Sequence, residues 1–142
     1  MVRIETVTEA TLEVHAALAH LLPQLNSELP VPTPARLQAL VRDPAVTLLL
    51  ARDGHDFVGT ATVIVYTTPF WIKARLDEVV VDEAARGKGV GAALVSAALD
   101  VGRQKGAQVA ELQSGVWRGA ANRLYPRMGF KLRETNVYRI VL

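Results

Sequence analysis

The segment from Leu76 to Gly91 (LDEVVVDEAARGKGVG) constrains this chain more than any other. A valine-rich run feeds a glycine-rich turn, which opens at once into helical spacing: Val90, Leu94, Ala97, Ala98 and Val101, ended by Gly106. Glycines let main-chain N–H groups converge on an anion without side-chain obstruction. The start of a helix adds unpaired donors and a partial positive charge. Arg86 and Lys88 add full charges beside them. The residues therefore predict a phosphate or pyrophosphate cradle.

Spacing separates the known cradles. A P-loop needs G-x-x-x-x-G-K-[ST], and here Lys88 is followed by Gly89, so it fails. A dinucleotide fingerprint needs G-x-G-x-x-G/A; Gly87, Gly89 and Ala92 satisfy it, and Glu111 stands near the distance of a ribose-binding acid. That fingerprint follows its strand directly, however, whereas Asp82 to Arg86 intervene here. A dinucleotide-binding protein is thus the third reading. Charge points the same way as the loop. Residues 1–85 hold six basic and eleven acidic side chains, residues 86–142 ten and three, so the second half is suited to an anion. The basic residues are scattered singly, without interleaved aromatics, so a compact anion with several phosphates fits better than a nucleic acid, and no nucleic-acid partner is expected.

The remaining cradle is a coenzyme A pyrophosphate loop. Arg86-Gly87-Lys88-Gly89-Val90-Gly91 fits, in register, the Q/R-x-x-G-x-G/A loop of the GNAT family of N-acetyltransferases, which the chain resembles. Leu76–Val81 looks like that family's fourth strand. Downstream, Ala121-Asn122-Arg123-Leu124-Tyr125-Pro126-Arg127-Met128-Gly129-Phe130 resembles its second signature, and the order of elements agrees from end to end.

The resemblance implies an acetyl-CoA-dependent N-acetyltransferase, with acetyl-CoA as acyl donor, an unnamed primary amine as acceptor and no metal. Acetyl-CoA would lie between the strands near 73–82 and 108–113, which splay apart in this family. Backbone groups of Val79 and Val81 would pair with the pantetheine, the loop Arg86, Gly87, Lys88, Gly89, Val90, Gly91 would hold the pyrophosphate, and Asn122 would bind the pantetheine arm. Tyr125 is the implied general acid, protonating the leaving thiolate. Pro126 disfavours helix at the residue before it, which predicts that Tyr125 sits at a helix end. A carboxylate must take the proton of the amine. Asp77 and Glu78 point to opposite faces of a regular strand, so only one faces the cleft, and Glu78 is favoured. The alternative reading is a non-catalytic acyl-CoA-binding or sensing module. A homodimer is a family-level expectation.

Half of the residues are apolar and 21% charged, as in ordinary globular chains. The expected fold is α+β, one domain over 1–142, with a mixed sheet of about six to seven strands and about four helices. The pattern predicts a strand over Val2–Val7 and a helix over Thr8–Leu22 with Leu12, Ala16, Ala19 and Leu22 on one face. A helix from a Thr33-Pro34 start to Arg42 follows. Strands are expected over Val46–Arg52, Phe57–Thr68 and Lys73–Asp82, with Gly59 a bulge or close approach. After the glycine loop come a helix to Lys105, a strand over Gln108–Gln113, a helix over Arg118–Tyr125, and two closing strands, Phe130–Arg133 and Val137–Leu142. The chain has no cysteine, and no apolar run nears the ~20 residues of a membrane helix. With acidic Glu5 and Glu9 interrupting the N-terminus, the expected setting is cytoplasmic, away from membranes.

Overall fold

A computed structural model describes residues 1–142. In chain order its elements are β1 (Val2–Thr6), α1 (Leu12–Leu21), α2 (Pro34–Arg42), β2 (Val46–Asp53), β3 (Asp56–Thr67), β4 (Ile72–Val81), α3 (Val90–Gln104), β5 (Val109–Leu112) and α4 (Gly119–Arg127). Single 3₁₀ turns cover Leu22–Gln24 and Glu83–Ala85. The five strands form one sheet in sequential order. β1 to β4 pair antiparallel; short hairpin connections join β2 to β3 and β3 to β4, whereas α1 and α2 lie between β1 and β2. β5 returns through α3 to lie parallel to β4.

The period of two in β2 sorts its side chains between two cores. Leu49 and Ala51 join Ala61, Val63, Ala74 and Leu76 under Val90, Leu94, Val95 and Ala98 of α3. Leu48 and Leu50 face the other way, onto Val14, Leu18 and Leu21 of α1 and Leu37 of α2. Burying one such leucine stabilises the fold by about 1.5–3 kcal/mol. Gly59 lets α3 settle on the sheet: a Cβ there would lie 2.8 Å from Leu94 Cδ1 and 3.0 Å from the Val80 carbonyl oxygen. Gly59→Val should therefore cost about 1–3 kcal/mol and lower the thermal midpoint by several degrees. An unchanged midpoint in a thermal melt would refute this packing account.

Three expectations are corrected here. α1 starts later than Thr8, because the Thr11 hydroxyl accepts from the Val14 N–H and caps it. Its buried face is Val14, Leu18 and Leu21, not the Leu12 face; Leu12 is 87% exposed. The larger apolar stripe at helical spacing wins. The sheet has five strands rather than six or seven, because Phe130–Arg133 and Val137–Leu142 form none. No backbone hydrogen bond involves a residue beyond Phe130. Strand-forming side chains there specify what would pair, not a partner to pair with.

Candidate active site

The site originates in a ladder that stops short. β4 and β5 pair at Lys73–Val109, Ala74–Ala110, Arg75–Glu111 and Leu76–Leu112, and no further. Past Leu76 the edge of β4 has no strand partner, and a cleft of about 400 Å³ opens between Asp77, Glu78 and Val79 on one side and Leu112 to Gly115 on the other. Ala121 and Tyr125 of α4, Arg118 just before that helix and Leu25 close it. The expected splay is present.

Glu78 stands at an irregularity. Thr60 pairs with Val80 and Thr62 with Asp77, so Ala61 alone opposes Glu78 and Val79. Glu78 has φ +45°, a left-handed backbone that a non-glycine residue adopts only at a cost of order 1–3 kcal/mol. This bulge reverses the parity of β4: Leu76 packs in the α3 core, Val80 in the α1 core. It also corrects the premise that only one of Asp77 and Glu78 reaches the cleft, since both line it. They differ in partners. Asp77 accepts from Arg75 Nε at 3.0 Å, whereas Glu78 has no hydrogen-bond or ion-pair partner in the chain. Desolvation at the cleft mouth, then the like charge of Asp77, pushes the Glu78 carboxyl above its ordinary value, against the pull of Arg75.

Tyr125 comes from α4, and its hydroxyl bonds to no group in the chain. Its ring lies edge-on to Phe130, centroids 5.7 Å apart at 67°. Burial pushes the phenol above its ordinary value, partly offset by the charge of Arg118. The helix does not end at Tyr125: α4 runs through Pro126 to Arg127. A proline this close to the C-terminus removes only the bond to the Asn122 carbonyl, and Met128 N–H still reaches Leu124.

The glycine loop lies at the same end of the sheet. Gly87 and Gly89 have φ +79° and +80°, with open space where a Cβ would be. From Gly87 to Ala92 no main-chain N–H donates to any carbonyl or side chain; the first bonded one is Ala93, to Gly89. A row of free donors at the start of the fifteen-residue helix α3 fits a pyrophosphate. Gly91 keeps it near the cleft: a Cβ there would be 3.4 Å from Leu124 of α4 and 3.6 Å from Val81. Val81 is less free than expected, since Arg86 Nε donates to its carbonyl at 3.3 Å. Val79 lines the cleft. Asn122 Nδ2 donates to the Gly115 carbonyl at 2.9 Å, pinning the β5–α4 loop, so its Oδ1 is the atom left for a ligand. Glu111 is engaged by Lys73 at 2.8 Å and lies 3.7 Å from Arg133, which removes it as a ribose acid.

Two cleft residues escaped the sequence reading. Arg118 donates to the Leu25 carbonyl at 2.9 Å, tying α4 to the 3₁₀ turn after α1. Ser114 Oγ is buried without a partner. A polar turn after a parallel strand was the available signal for both. A further tie joins α1 to the segment leading into the loop. His20 Nε2 is 2.8 Å from Asp82 Oδ2, and the Gln24 side chain accepts from the Glu83 N–H. The His20 hydrogen bond, then the Ala84 N–H, holds the Asp82 carboxyl below its usual range.

Residues 14–130 match the Acetyltransferase (GNAT) family, a stretch that ends at the last residue with a backbone hydrogen bond. The chain belongs to this family. An uncharacterized N-acetyltransferase of Methanocaldococcus jannaschii is 36% identical over 61 residues, 43% of this chain and 27% of that protein. The chain thus aligns with about a quarter of that relative. A crystal structure of a transcriptional regulator from Bacillus halodurans C-125 superposes with TM-score 0.81 at 27% identity, covering 99% of this chain and all of the other. AAC(6')-Iy, solved with the bisubstrate analogue CoA-S-monomethyl-acetylneamine, superposes with TM-score 0.83 at 16% identity, over 100% and 99%.

Proposed function

We propose that this acetyltransferase is acetyl-CoA-dependent and acetylates a primary amine by direct attack in a ternary complex. One observation carries the reading: a single cleft, where β4 leaves β5, brings together an unpaired Glu78 carboxylate and a free Tyr125 hydroxyl. It opens beside the row of unbonded N–H groups from Gly87 to Ala92. Acetyl-CoA supplies an activated acyl group on sulfur. The N–H row and the charges of Arg86 and Lys88 bind its pyrophosphate. The partnerless edge of β4 at Val79 aligns the extended arm, and the Asn122 Oδ1, one residue past the cleft-lining Ala121, is a further acceptor for it. Glu78 accepts the proton shed by the amine, directly or through water, as nitrogen bonds to the acetyl carbon. Main-chain N–H groups along β4 stabilise the carbonyl oxygen as it gains charge. Tyr125 donates its proton to the sulfur as the carbon–sulfur bond breaks.

Thermal melts with acetyl-CoA, coenzyme A, NAD and ATP test the donor half. A ligand at about 100 times its Kd should add roughly 2.7 kcal/mol, worth several degrees. A shift with NAD or ATP but not with the coenzyme A pair overturns the donor assignment. Thiol release then tests transfer, using a panel of polyamines, peptide α-amines and aminoglycosides, the last suggested by the neamine-derived ligand of one structural neighbour. Binding of acetyl-CoA with no release from any amine would instead favour a sensing module.

A further inference from the structure

Three arginines of the chain are half-buried: Arg52, Arg75 and Arg118. Arg52 is paired with Glu5 and Glu13, and Arg75 with Asp77. Arg118 lines the cleft and has no carboxylate within ion-pair reach. A cation held partly out of water without a counter-ion is costly, and an anionic ligand would supply one.

Arg118 is also fixed in place. Its main-chain N–H donates to the Gly115 carbonyl at 3.0 Å, the same oxygen that takes Asn122 Nδ2. At the far end Nη2 donates to the Leu25 carbonyl at 2.9 Å, while Nε and Nη1 bond to nothing in the chain. A guanidinium carries only donors, so the free ones face a ligand or water. The same wall holds Ser114, whose hydroxyl is likewise without a partner. The cleft contains one more unpaired charge, the Glu78 carboxylate, since Asp77 is engaged by Arg75. Glu78 and Arg118 are not in ion-pair contact with each other. One free anion and one free cation therefore line a single cleft whose other walls include Leu25, Val79, Leu112 and Val137.

Resting on the amine-acetyltransferase reading above, we propose that the acceptor is a free amino acid, with its carboxylate on Arg118 and its amino group presented to Glu78. A polyamine or an aminoglycoside would bring several positive charges to a cleft that offers one free carboxylate and repels at Arg118. The phosphates of the donor have their own cations in Arg86 and Lys88. In the reaction the amino nitrogen bonds to the acetyl carbon and gives its proton to Glu78. The carbon–sulfur bond breaks, and the sulfur takes its proton from Tyr125. The products are coenzyme A thiol and an N-acetyl amino acid, which keeps its carboxylate and no longer carries the positive charge that suited Glu78.

Thiol release should be compared for free amino acids and for the carboxamide of each, which keeps the amine and loses the negative charge. For an accepted side chain, kcat/KM for the acid should exceed that for the amide roughly 10–100-fold. In Arg118→Gln the two should come within a few-fold of each other, with KM for acetyl-CoA unchanged. The ratio is taken within one protein, so lost stability alone does not move it. Amides, polyamines or aminoglycosides used as well as any free amino acid overturn the proposal and leave amine acetylation standing, as does a ratio that survives in the variant. The wild-type comparison decides even if the variant does not fold. If no amine is turned over, transfer itself fails, and calorimetry on the complex with coenzyme A, which has no acyl group to give, still tests the anchor. Free amino acids should bind it about 10-fold or more tighter than their amides; equal binding removes Arg118 as a carboxylate site.

Discussion

Replacing Tyr125 by phenylalanine is expected to lower kcat by about 10²–10⁴-fold, the usual worth of general acid catalysis, with little change in KM for acetyl-CoA. The substitution removes one atom. The ring keeps its edge contact with Phe130, and the hydroxyl makes no hydrogen bond whose loss would disturb α4, so the thermal midpoint should hold. Burial keeps the wild-type phenol protonated to a higher pH than free tyrosine. The alkaline limb of the rate profile should therefore lie above the ordinary tyrosine value and vanish in the variant. Steady-state thiol release with any amine that turns over makes the test, and an unchanged kcat would remove Tyr125 from the mechanism.

Glu78→Gln should lower kcat/KM by about 10²-fold or more at neutral pH and abolish the acidic limb of its pH profile. The sign follows from the environment. The folded carboxyl is pushed above its ordinary value, so as pH falls it takes up a proton early and can no longer accept one from the amine. The same shift acts on stability in the opposite sense to a typical ion-paired acid. Between the unfolded and folded values the native protein holds more protons, so stability from this group is present at lower pH and declines as pH rises through the folded value. Glutamine removes that decline. Parallel pH–rate and pH–melting series on the two proteins read both effects, and a profile unchanged in the variant would transfer the base role elsewhere.

Much of this was legible in the residues because it is written in local chemistry. Thr33-Pro34 starts α2, Gly106 ends α3, the nearly continuous apolar run gives β2 and the Val- and Thr-rich runs give β3 and β4, each by rules that operate over a few residues. The glycine loop was legible for the same reason. What escaped depended on partners distant in sequence. The Glu78 bulge arises from the register between β3 and β4, so a strict period of two assigned Asp77 and Glu78 to opposite faces. Asn122 in α4 and Arg118 at its start were visible as polar residues, but their ties to Gly115 and Leu25 needed the folded chain. The final segment shows the converse error, strand-forming residues without a strand to join.

The free donors from Gly87 to Ala92 are peptide groups, and this bears on how such a chain diverges. The main-chain part of such a grip tolerates side-chain turnover that spares the left-handed backbone at residues 87 and 89 and the close approach at Gly91. The opposite wall, with Leu25, Arg118 and Val137, is made of side chains and changes with every substitution. On the proposed reading, mutation can therefore redraw what the cleft accepts while the main-chain part of its hold on the donor is inherited intact. Whole-chain resemblance will track the inherited half and remain blind to the other.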